Sequence, residues 1–329
     1  MMKALMYTGP LSTELQTMAV PEPKAGEALI DLSFCGICGS DMHAWHGHDA
    51  RRVPPMVLGH EGVGIAKTGR YAGQPVVINP LIPCDSCALC NMGYENLCPD
   101  RDMIGMRLQG AFAEQIAMVE DNLTPISASI ALEQAALAEP LACSVNAVRL
   151  ATDRIEDKDA GVVILGGGAI GLLAALVFQH YGYSHIWIAE TNAHRRQMLE
   201  GLGNFKAYDP LSQQPELSLV DIVFDAVGTG ITRATSSAMV RPGGIIVHIG
   251  LQDNTEGLDT RRITLQQISF LGSYCYRKSE FAEAVKMLED GIITGDGWAV
   301  IRPLGDGHAA FMNVHNGSAP PKIILDTRI

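Results

Sequence analysis

The residue types best suited to chemistry are concentrated between positions 35 and 64 of this chain. The stretch offers a thiol, a hydroxyl, two imidazoles and a carboxylate, on Cys38, Ser40, His43, His60 and Glu61. Glycines and prolines interrupt it, which predicts that these groups lie on turns rather than along one regular face. A cysteine, a histidine and a carboxylate can hold zinc and leave one coordination position open, as a catalytic site requires. We therefore predict a catalytic zinc site here.

A second cluster of metal-binding residue types follows as Cys84-x2-Cys87-x2-Cys90-x7-Cys98. Four thiolates on tight loops suit the closed, tetrahedral coordination of a structural zinc ion. An iron–sulfur cluster also uses four cysteines, but nothing else in the chain indicates electron transfer. The remaining alternative, four unligated cysteines, would leave reactive thiols exposed. The spacing therefore favours structural zinc over disulfides or a cluster.

Another acidic residue, Glu139, lies in the otherwise apolar segment AALAEPLAC. If it is buried, its carboxylate must be paired, protonated or bound to metal. A carboxylate at a helix end that faces water is the commoner situation. Both interpretations remain open from the sequence.

A dinucleotide-binding pattern begins at Gly166. The sequence Gly166-x-Gly168-x-x-Gly171 lies between a buried strand and an apolar helix, and Glu190 ends the next strand. These glycines permit a tight turn and a close approach of pyrophosphate, and the acid accepts the ribose hydroxyls, which favours NAD. Arg195 and Arg196 follow closely, so NADP remains an alternative. The predicted cofactor-binding residues are Gly166, Gly168, Ala169, Ile170, Gly171, Glu190, Arg195, Val227, Ile249 and Gly250.

The elements that must position these groups divide the 329 residues into two domains of different type. Alternating apolar residues predict β structure over 2–36 and 110–127, and βα alternation begins near 159. We predict an α/β fold: a mainly β catalytic domain over 1–140 with a zinc lobe at 84–98, and a doubly wound Rossmann domain over 141–275. Residues 276–329 break the alternation and are expected to return to the first domain.

The composition excludes several classes of protein. Hydrophobic residues make up 47% and charged residues 18%, as in a well-packed globular chain. A net charge of −12 argues against binding to nucleic acid or to an anionic membrane. No apolar run reaches transmembrane length, and the N-terminal residues lack the features of a signal peptide. We therefore expect a cytoplasmic protein.

Several motifs occur in the order seen in one enzyme family: GICGSDMHAW, VLGHEGVG, the four-cysteine lobe, AEPLAC, LGGGAIG and VRPGGIIVHIG. Through these motifs, the chain resembles the zinc-dependent medium-chain dehydrogenases over nearly its whole length. It is most similar to the polyol (sorbitol-like) and threonine dehydrogenase branch, which carries Glu in the segment that corresponds to AEPLAC. The resemblance implies a GroES-like catalytic domain and a Rossmann domain.

The resemblance also implies roles for individual residues. Cys38, His60 and Glu61 would bind the catalytic zinc, and Glu139 would be a further ligand or hold a water on it; family members differ on which glutamate touches the metal. Ser40 and His43 match the family's proton relay. The substrate pocket would include Cys275, Tyr276 and Trp45, although Trp45 could instead pack against the lobe; its position two residues after His43 favours the pocket. In the sequence GSYCY, however, Cys275 replaces an arginine common in polyol dehydrogenases, which argues against a simple sorbitol substrate.

The expected function is oxidation of a secondary alcohol, such as a polyol, a sugar alcohol or a sugar acid, by hydride transfer to NAD. Zinc would act as the Lewis acid, with Ser40 and His43 as the path of the proton. A simple alcohol, a diol or L-threonine is the alternative substrate. Two rival interpretations are a zinc-binding scaffold without activity and a quinone-type reductase without catalytic zinc. We expect a homodimer or homotetramer.

Several neighbouring residues have simpler interpretations. His46 and His48 lie in the same polar loop as His43 and are expected to be solvated. Arg51 and Arg52 could meet a phosphorylated substrate, although exposed arginines are usually plain surface residues. Cys35 and Cys143 are expected to be small buried hydrophobic residues.

Overall fold

The structure is a computed structural model that describes residues 1–217, 219–253 and 255–328. Its contacts divide the chain into two compact units. The first combines Met1–Pro140 with Arg277–Ile329, and the second is Leu141–Tyr276. Among the helices described, none is long and apolar enough to cross a membrane.

The strands, numbered in chain order, are β1 (Met2–Gly9), β2 (Ser12–Met18), β3 (Glu27–Gly36), β4 (Met56–Val57), β5 (Glu61–Ala66), β6 (Pro75–Ile78), β7 (Leu81–Ile82), β8 (Asp102–Met103), β9 (Gln115–Val119), β10 (Leu123–Pro125), β11 (Gly161–Leu165), β12 (His185–Ala189), β13 (Lys206–Tyr208), β14 (Ile222–Asp225), β15 (Ile245–His248), β16 (Ser269–Gly272), β17 (Ala299–Pro303) and β18 (Lys322–Asp326). The helices are α1 (Gly39–Trp45), α2 (Ala88–Asn91), α3 (Leu132–Ala135), α4 (Ala138–Thr152), α5 (Ala169–His180), α6 (Ala193–Leu199), α7 (Gly230–Met239), α8 (Thr260–Leu265), α9 (Lys278–Glu289) and α10 (Gly307–His315). Short 3-10 turns lie at Glu95–Leu97, Glu120–Asn122 and Leu304–Asp306.

The first unit is organised around a mainly antiparallel sheet with the order β10-β6-β5-β3-β18-β17, and β9 also pairs with β3. Ala28, Ile30 and Leu32 of β3 are buried at alternate positions, as the sequence EALIDLSF predicts. The strand β18 pairs antiparallel with β3, and Leu325 lies opposite Cys35. The end of β3, which leads into the cysteine and histidine segment, is therefore held between β5 and β18.

The second unit contains a parallel sheet of the order β13-β12-β11-β14-β15-β16. Every residue of β11, GVVIL, is buried, as expected for a strand with both faces covered. The apolar helix α5 follows directly, and α7 forms over the segment TRATSSAM. The prediction of a doubly wound α/β sheet is confirmed.

The helical segment around residue 140 differs in detail from the sequence pattern. The pattern predicts one helix interrupted at Pro140, whereas the break lies at 136–137, between α3 and α4. Pro140 lies in the first turn of α4, where a missing N–H costs nothing because that N–H has no partner within the helix. The proline therefore lies within a helix start rather than at a break, and Glu139 occupies the same first turn.

Candidate active site

The thiol of Cys38 is fixed by the start of α1. Cys38 is the N-cap residue, and its Sγ accepts a hydrogen bond from the backbone N–H of Ser40 at 3.4 Å. In return, the backbone N–H of Cys38 donates to Asp41 Oδ2 at 3.0 Å. This reciprocal capping fixes the position of the thiol at the helix N-terminus.

His60 and Glu61 reach the same place through the pairing of β3 with β5. Glu61 lies opposite Gly36, two residues before Cys38. A Cβ at Gly36 would collide with the Glu61 carboxylate, so glycine here leaves room for the carboxylate in its present position. One ligand atom each from Cys38, His60 and Glu61 lie within 4.8 Å of one another. The structure thus brings together three of the residues predicted to bind the catalytic zinc.

Asp41 orients His60, and the sequence analysis assigned it no role. Asp41 is fully buried, and its Oδ1 lies 3.5 Å from His60 Nδ1, which leaves the other ring nitrogen of His60 for a ligand. Burial opposes protonation of His60, but the charges of Asp41 and Cys38 raise its pKa well above the usual value. A carboxylate behind a metal-binding imidazole is a common arrangement at zinc sites, because it fixes the ring and strengthens the ligand.

Lys322 is a second partner that the sequence analysis missed. Its ammonium group is in ion-pair contact with Glu61 Oε2 and donates to the carbonyl of Ile37 at 2.9 Å. Both side chains are almost completely buried. Burial opposes the charge of Lys322, but the carboxylate of Glu61, then Cys38 and Glu139, raise its pKa. The Glu61 carboxylate therefore lies beside a fixed cation.

The chemistry of this cluster suits zinc. A thiolate, an imidazole and a carboxylate are the ligand types that zinc accepts, and three protein ligands leave a position for substrate. Glu61 Oε1 is buried without a hydrogen-bond partner among the described residues, as a carboxylate oxygen awaiting a metal would be. Glu139 is buried, at 5% exposure, but it does not belong to the group whose ligand atoms lie within 4.8 Å. Among the described residues, the group that could hold a metal thus contains Glu61 and not Glu139.

The hydroxyl of Ser40 is held by a buried arginine. Arg52 Nη2 donates to Ser40 Oγ and its Nη1 to the Ser40 carbonyl, both at 3.0 Å. The same guanidinium donates to Gly105 O and Asp49 Oδ2, each at 2.7 Å. The expectation that Arg52 is a plain surface residue is therefore wrong, since its side chain has no exposed area. Because Ser40 Oγ accepts from a cation, its own proton is free to be donated elsewhere.

His43 lies three residues after Ser40 on α1, so the two side chains share one helix face. The His43 side chain is partly buried. Burial, together with the charges of His48 and Arg52, lowers the pKa of His43 below the usual value. The imidazole is therefore neutral near pH 7 and able to accept a proton.

We expect Arg52→Met to lower the free energy of unfolding by about 3 kcal/mol, because several buried acceptors lose a charged donor. The matched control is Arg51→Met. Arg51 also pairs with Asp49, at 2.8 Å, but its side chain is half exposed, so we expect a loss below about 1 kcal/mol. Equilibrium unfolding in denaturant measures both. Equal losses in the two variants would contradict a special role for Arg52.

The four-cysteine lobe has the dimensions of a zinc–thiolate site. Ligand atoms of Cys84, Cys87, Cys90 and Cys98 lie within 4.8 Å of one another. The Sγ atoms of Cys87 and Cys90 are 3.5 Å apart and those of Cys84 and Cys90 are 4.0 Å apart. Four sulfurs about 2.3 Å from a tetrahedral zinc ion would be about 3.8 Å apart. Hydrogen bonds from the backbone and hydroxyl of Ser86, then from Cys87, lower the pKa of Cys84 to about 6.

The glycine turn between β11 and α5 matches the predicted dinucleotide site. Gly166 has a φ of +98°, in the left-handed region that favours glycine. A Cβ at Gly171 would collide with the Gly166 carbonyl, so the helix packs against the turn only with glycine there. Gly168 is the N-cap of α5, and Ala169 and Ile170 begin the helix. The turn therefore presents a helix N-terminus to an anion.

Glu190 closes this site at the end of β12. Its carboxylate accepts hydrogen bonds from Gly167 N at 3.0 Å and Asn192 N at 2.7 Å. Arg195 donates to it twice, through Nε and Nη2, both at 3.0 Å. Burial opposes its charge, but Arg195 and these N–H groups lower the pKa of Glu190. The acid predicted to bind ribose is thus ionised and rigid.

The loops after β14 and β15 place the remaining predicted cofactor residues together. Ile249 and Gly250 donate their N–H groups to the Asp225 carbonyl, at 3.1 and 3.0 Å. A Cβ at Gly250 would lie 2.1 Å from the carbonyl carbon of Val227, so the two loops are in contact. They lie at the carboxyl ends of parallel strands, where open α/β sheets bind ligands.

Two family models match the chain, that of the alcohol dehydrogenase GroES-like domain over residues 24–128 and that of the zinc-binding dehydrogenases over 169–290. The chain belongs to the zinc-dependent medium-chain alcohol dehydrogenases. A 2-dehydro-3-deoxy-L-galactonate 5-dehydrogenase of Pseudoalteromonas atlantica is 28% identical over 99% of this chain and 98% of its own. An L-galactonate-5-dehydrogenase of Escherichia coli is 29% identical over 90% and 89%. The crystal structure of L-idonate 5-dehydrogenase from Escherichia coli has the same fold, with a TM-score of 0.90 at 24% identity over 99% and 98% of the two chains.

The family predicted from the sequence motifs is therefore confirmed. So is the enzyme class, a dehydrogenase that uses zinc and a nicotinamide nucleotide. The order of domains that the resemblance implies, GroES-like before Rossmann, is the order in which the two models match.

The residues predicted to line the substrate pocket of this dehydrogenase have very different surroundings. Trp45 has no exposed area and packs against the ring of Phe311, with ring centroids 6.0 Å apart. Tyr276 is 1% exposed. Cys275 is partly exposed and has a φ of +47°, which is rare for a residue other than glycine. Of these three residues, Cys275 is therefore the most accessible, and the two aromatic side chains are buried.

Proposed function

We propose that this dehydrogenase oxidises a secondary hydroxyl group of a sugar acid or polyol and passes the hydride to NAD. The observation that carries the proposal is the group of Cys38, His60 and Glu61, of which the last two are buried, with ligand atoms within 4.8 Å of one another. A thiol and a buried carboxylate brought this close together are costly to desolvate unless a cation offsets them, and Lys322 already contacts the Glu61 carboxylate from one side. The cluster is thus best explained as a catalytic zinc site.

The residues of the candidate active site have different parts in the proposed reaction. Cys38, His60 and Glu61 would hold zinc, which when bound supplies a Lewis acid for the alcohol oxygen. Asp41 and Lys322 keep His60 and Glu61 in place. Ser40 receives the proton of the substrate hydroxyl and gives its own to the neutral His43, which passes it to water. Arg52 fixes the Ser40 oxygen and so directs its proton away from the guanidinium.

Two observations support a sugar acid or polyol as substrate. The two relatives described above are named for galactonate or a derivative of it, and each covers about nine-tenths or more of both chains. Further relatives are a D-arabitol-phosphate dehydrogenase of Enterococcus avium and a sorbitol dehydrogenase of Bacillus subtilis. Cys275 in place of arginine argues against sorbitol itself. Arg51 and Arg52 both pair with Asp49, so they give no support to a phosphorylated substrate.

The test is a panel of substrates with the zinc-loaded enzyme: aldonates, polyols, a vicinal diol, simple alcohols and L-threonine, each with NAD and with NADP. We expect kcat/KM for the best aldonate or polyol to exceed that for simple alcohols and threonine by at least about tenfold, since the extra hydroxyl and carboxylate groups add hydrogen bonds. The same panel is measured with Ser40→Ala, a matched variant that removes only the hydroxyl group of the proposed proton relay. A preference for threonine or a simple alcohol would overturn the substrate proposal.

Glu190 underlies the proposed preference for NAD, because a carboxylate accepts the ribose hydroxyls and repels a 2′-phosphate. We expect Glu190→Ala to raise KM for NAD about tenfold or more, the equivalent of losing hydrogen bonds to a charged group. It also frees Arg195 from its two hydrogen bonds to Glu190, so KM for NADP should fall. The control is Glu200→Ala, an exposed acid at the end of α6. A strong preference of the unaltered enzyme for NADP would contradict the proposal.

We also propose that the enzyme is a cytoplasmic homodimer or homotetramer. The supporting observations are the family and the acidic, globular composition of the chain. Light scattering of the purified enzyme measures the assembly directly.

A further inference from the structure

Three histidines form a patch on the first unit that the reaction does not use. His46 follows α1, His48 lies in the next turn, and His315 ends α10. His46 Nε2 lies only 3.0 Å from His315 Nδ1. The ring of His48 lies near that of His46, with centroids 5.7 Å apart. The expectation that His46 is simply solvated is therefore wrong; these three residues are called the histidine patch below.

The distance between the two nitrogens suits a chelated metal ion as well as a hydrogen bond. Imidazole nitrogens bind late first-row metals at about 2.0–2.1 Å. Two nitrogens 3.0 Å apart at such distances subtend about 91–97° at the metal. This is the angle between neighbouring ligands in square-planar or octahedral coordination, which Ni²⁺ and Cu²⁺ favour, and is smaller than the tetrahedral angle of zinc.

The two rings are held in place before any metal arrives. Trp45, which has no exposed area, lies edge-on to both, with centroids 5.2 Å from His46 and 5.6 Å from His315. Each histidine also belongs to the end of a helix, so its backbone is fixed. Little side-chain freedom remains to be lost on binding, which favours affinity.

A third ligand is available from the same turn. Within the described residues, no further His, Cys, Asp or Glu atom lies within 4.8 Å of both nitrogens. His48, however, is exposed, and its backbone N–H is anchored to the His43 carbonyl at 2.9 Å. Rotation of its side chain would bring an imidazole to the pair, and water would complete the coordination.

We propose that His46 and His315, with His48 as third ligand, form a surface site for a divalent late first-row metal ion such as Ni²⁺ or Cu²⁺. The site is distinct from the two zinc sites, and it shares no ligand with either. It takes nitrogen ligands alone, without thiolate, so it selects these ions by geometry rather than by softness.

The test uses the zinc-loaded enzyme without an affinity tag and Ni²⁺ alone as the probe, because Ni²⁺ attacks thiolate sites less readily than Cu²⁺. Isothermal titration calorimetry should show a single site. We expect His46→Gln and His315→Gln each to weaken Ni²⁺ binding at least about tenfold, and His48→Gln about threefold, since the third ligand is not pre-positioned. The control is His194→Gln, an exposed histidine of the second unit, which should change nothing.

Two further measurements keep the outcome clear. Zinc content after the titration must remain at the starting value, which shows that Ni²⁺ has not displaced zinc. Thermal unfolding of His46→Gln and His315→Gln without Ni²⁺ must match the unaltered enzyme, which shows that the changes leave the fold intact. The proposal is overturned if both variants bind Ni²⁺ as tightly as the unaltered enzyme, or if the unaltered enzyme itself does not bind Ni²⁺. In either case the two histidines share only a hydrogen bond.

Discussion

Replacement of His60 by alanine is expected to lower kcat/KM at least about a thousandfold, equivalent to about 4 kcal/mol of transition-state stabilisation. The reason lies in the arrangement of the ligands. His60 is 3% exposed, is oriented by Asp41, and belongs to the group within 4.8 Å that includes Cys38 and Glu61. Removal of the imidazole leaves two protein ligands, which is too few for a stable zinc site.

Zinc analysis makes this result specific. We expect about two zinc ions per chain in the unaltered enzyme and about one in His60→Ala, because the four-cysteine lobe is untouched. Cys98→Ser is the complementary variant: it should lose the structural zinc while Cys38, His60 and Glu61 remain. Binding of NADH, measured by its fluorescence, should be unchanged in His60→Ala, since the glycine turn lies in the other unit. Near-normal turnover of His60→Ala without its zinc would refute the assignment.

The features predicted from the sequence are those that depend on local pattern. The alternation in EALIDLSF gives β3 its buried face, and a glycine turn between an apolar strand and an apolar helix has few other structural meanings. The spacing of the four cysteines likewise fixes their ligand geometry within a single short lobe. In each case the residues that interact are close together in the chain.

The features that the sequence did not predict depend on pairing between distant segments. Lys322 meets Glu61 only because β18 pairs with β3, and β3 with β5. Arg51 and Arg52 look alike in sequence, but one side chain is half exposed and the other has no exposed area. Asp41 carried one usable signal, since an acid three residues after the helix N-cap is typical of a capping box. Its contact with His60 required the fold.

Lys322→Met is expected to lower the free energy of unfolding of the first unit by about 3–5 kcal/mol, because it leaves the buried carboxylate of Glu61 without its cation. It also removes the donor to the Ile37 carbonyl. The control is Lys67→Met. Lys67 pairs with Asp31 at 3.3 Å, but both side chains are about half exposed, so the loss should stay below about 1 kcal/mol.

A double-variant cycle separates the ion pair from general damage to the core. Glu61→Gln alone leaves Lys322 charged without its partner and should also destabilise the unit, whereas Glu61→Gln with Lys322→Met should recover most of the loss. In a Trp187→Phe background both remaining tryptophans, Trp45 and Trp298, lie in the first unit, so fluorescence follows its unfolding alone. Additive losses in the double variant would show that Lys322 acts by packing and not by charge. Because Glu61 also belongs to the proposed zinc site, the coupling energy should shrink when zinc is bound, since the metal then supplies the positive charge.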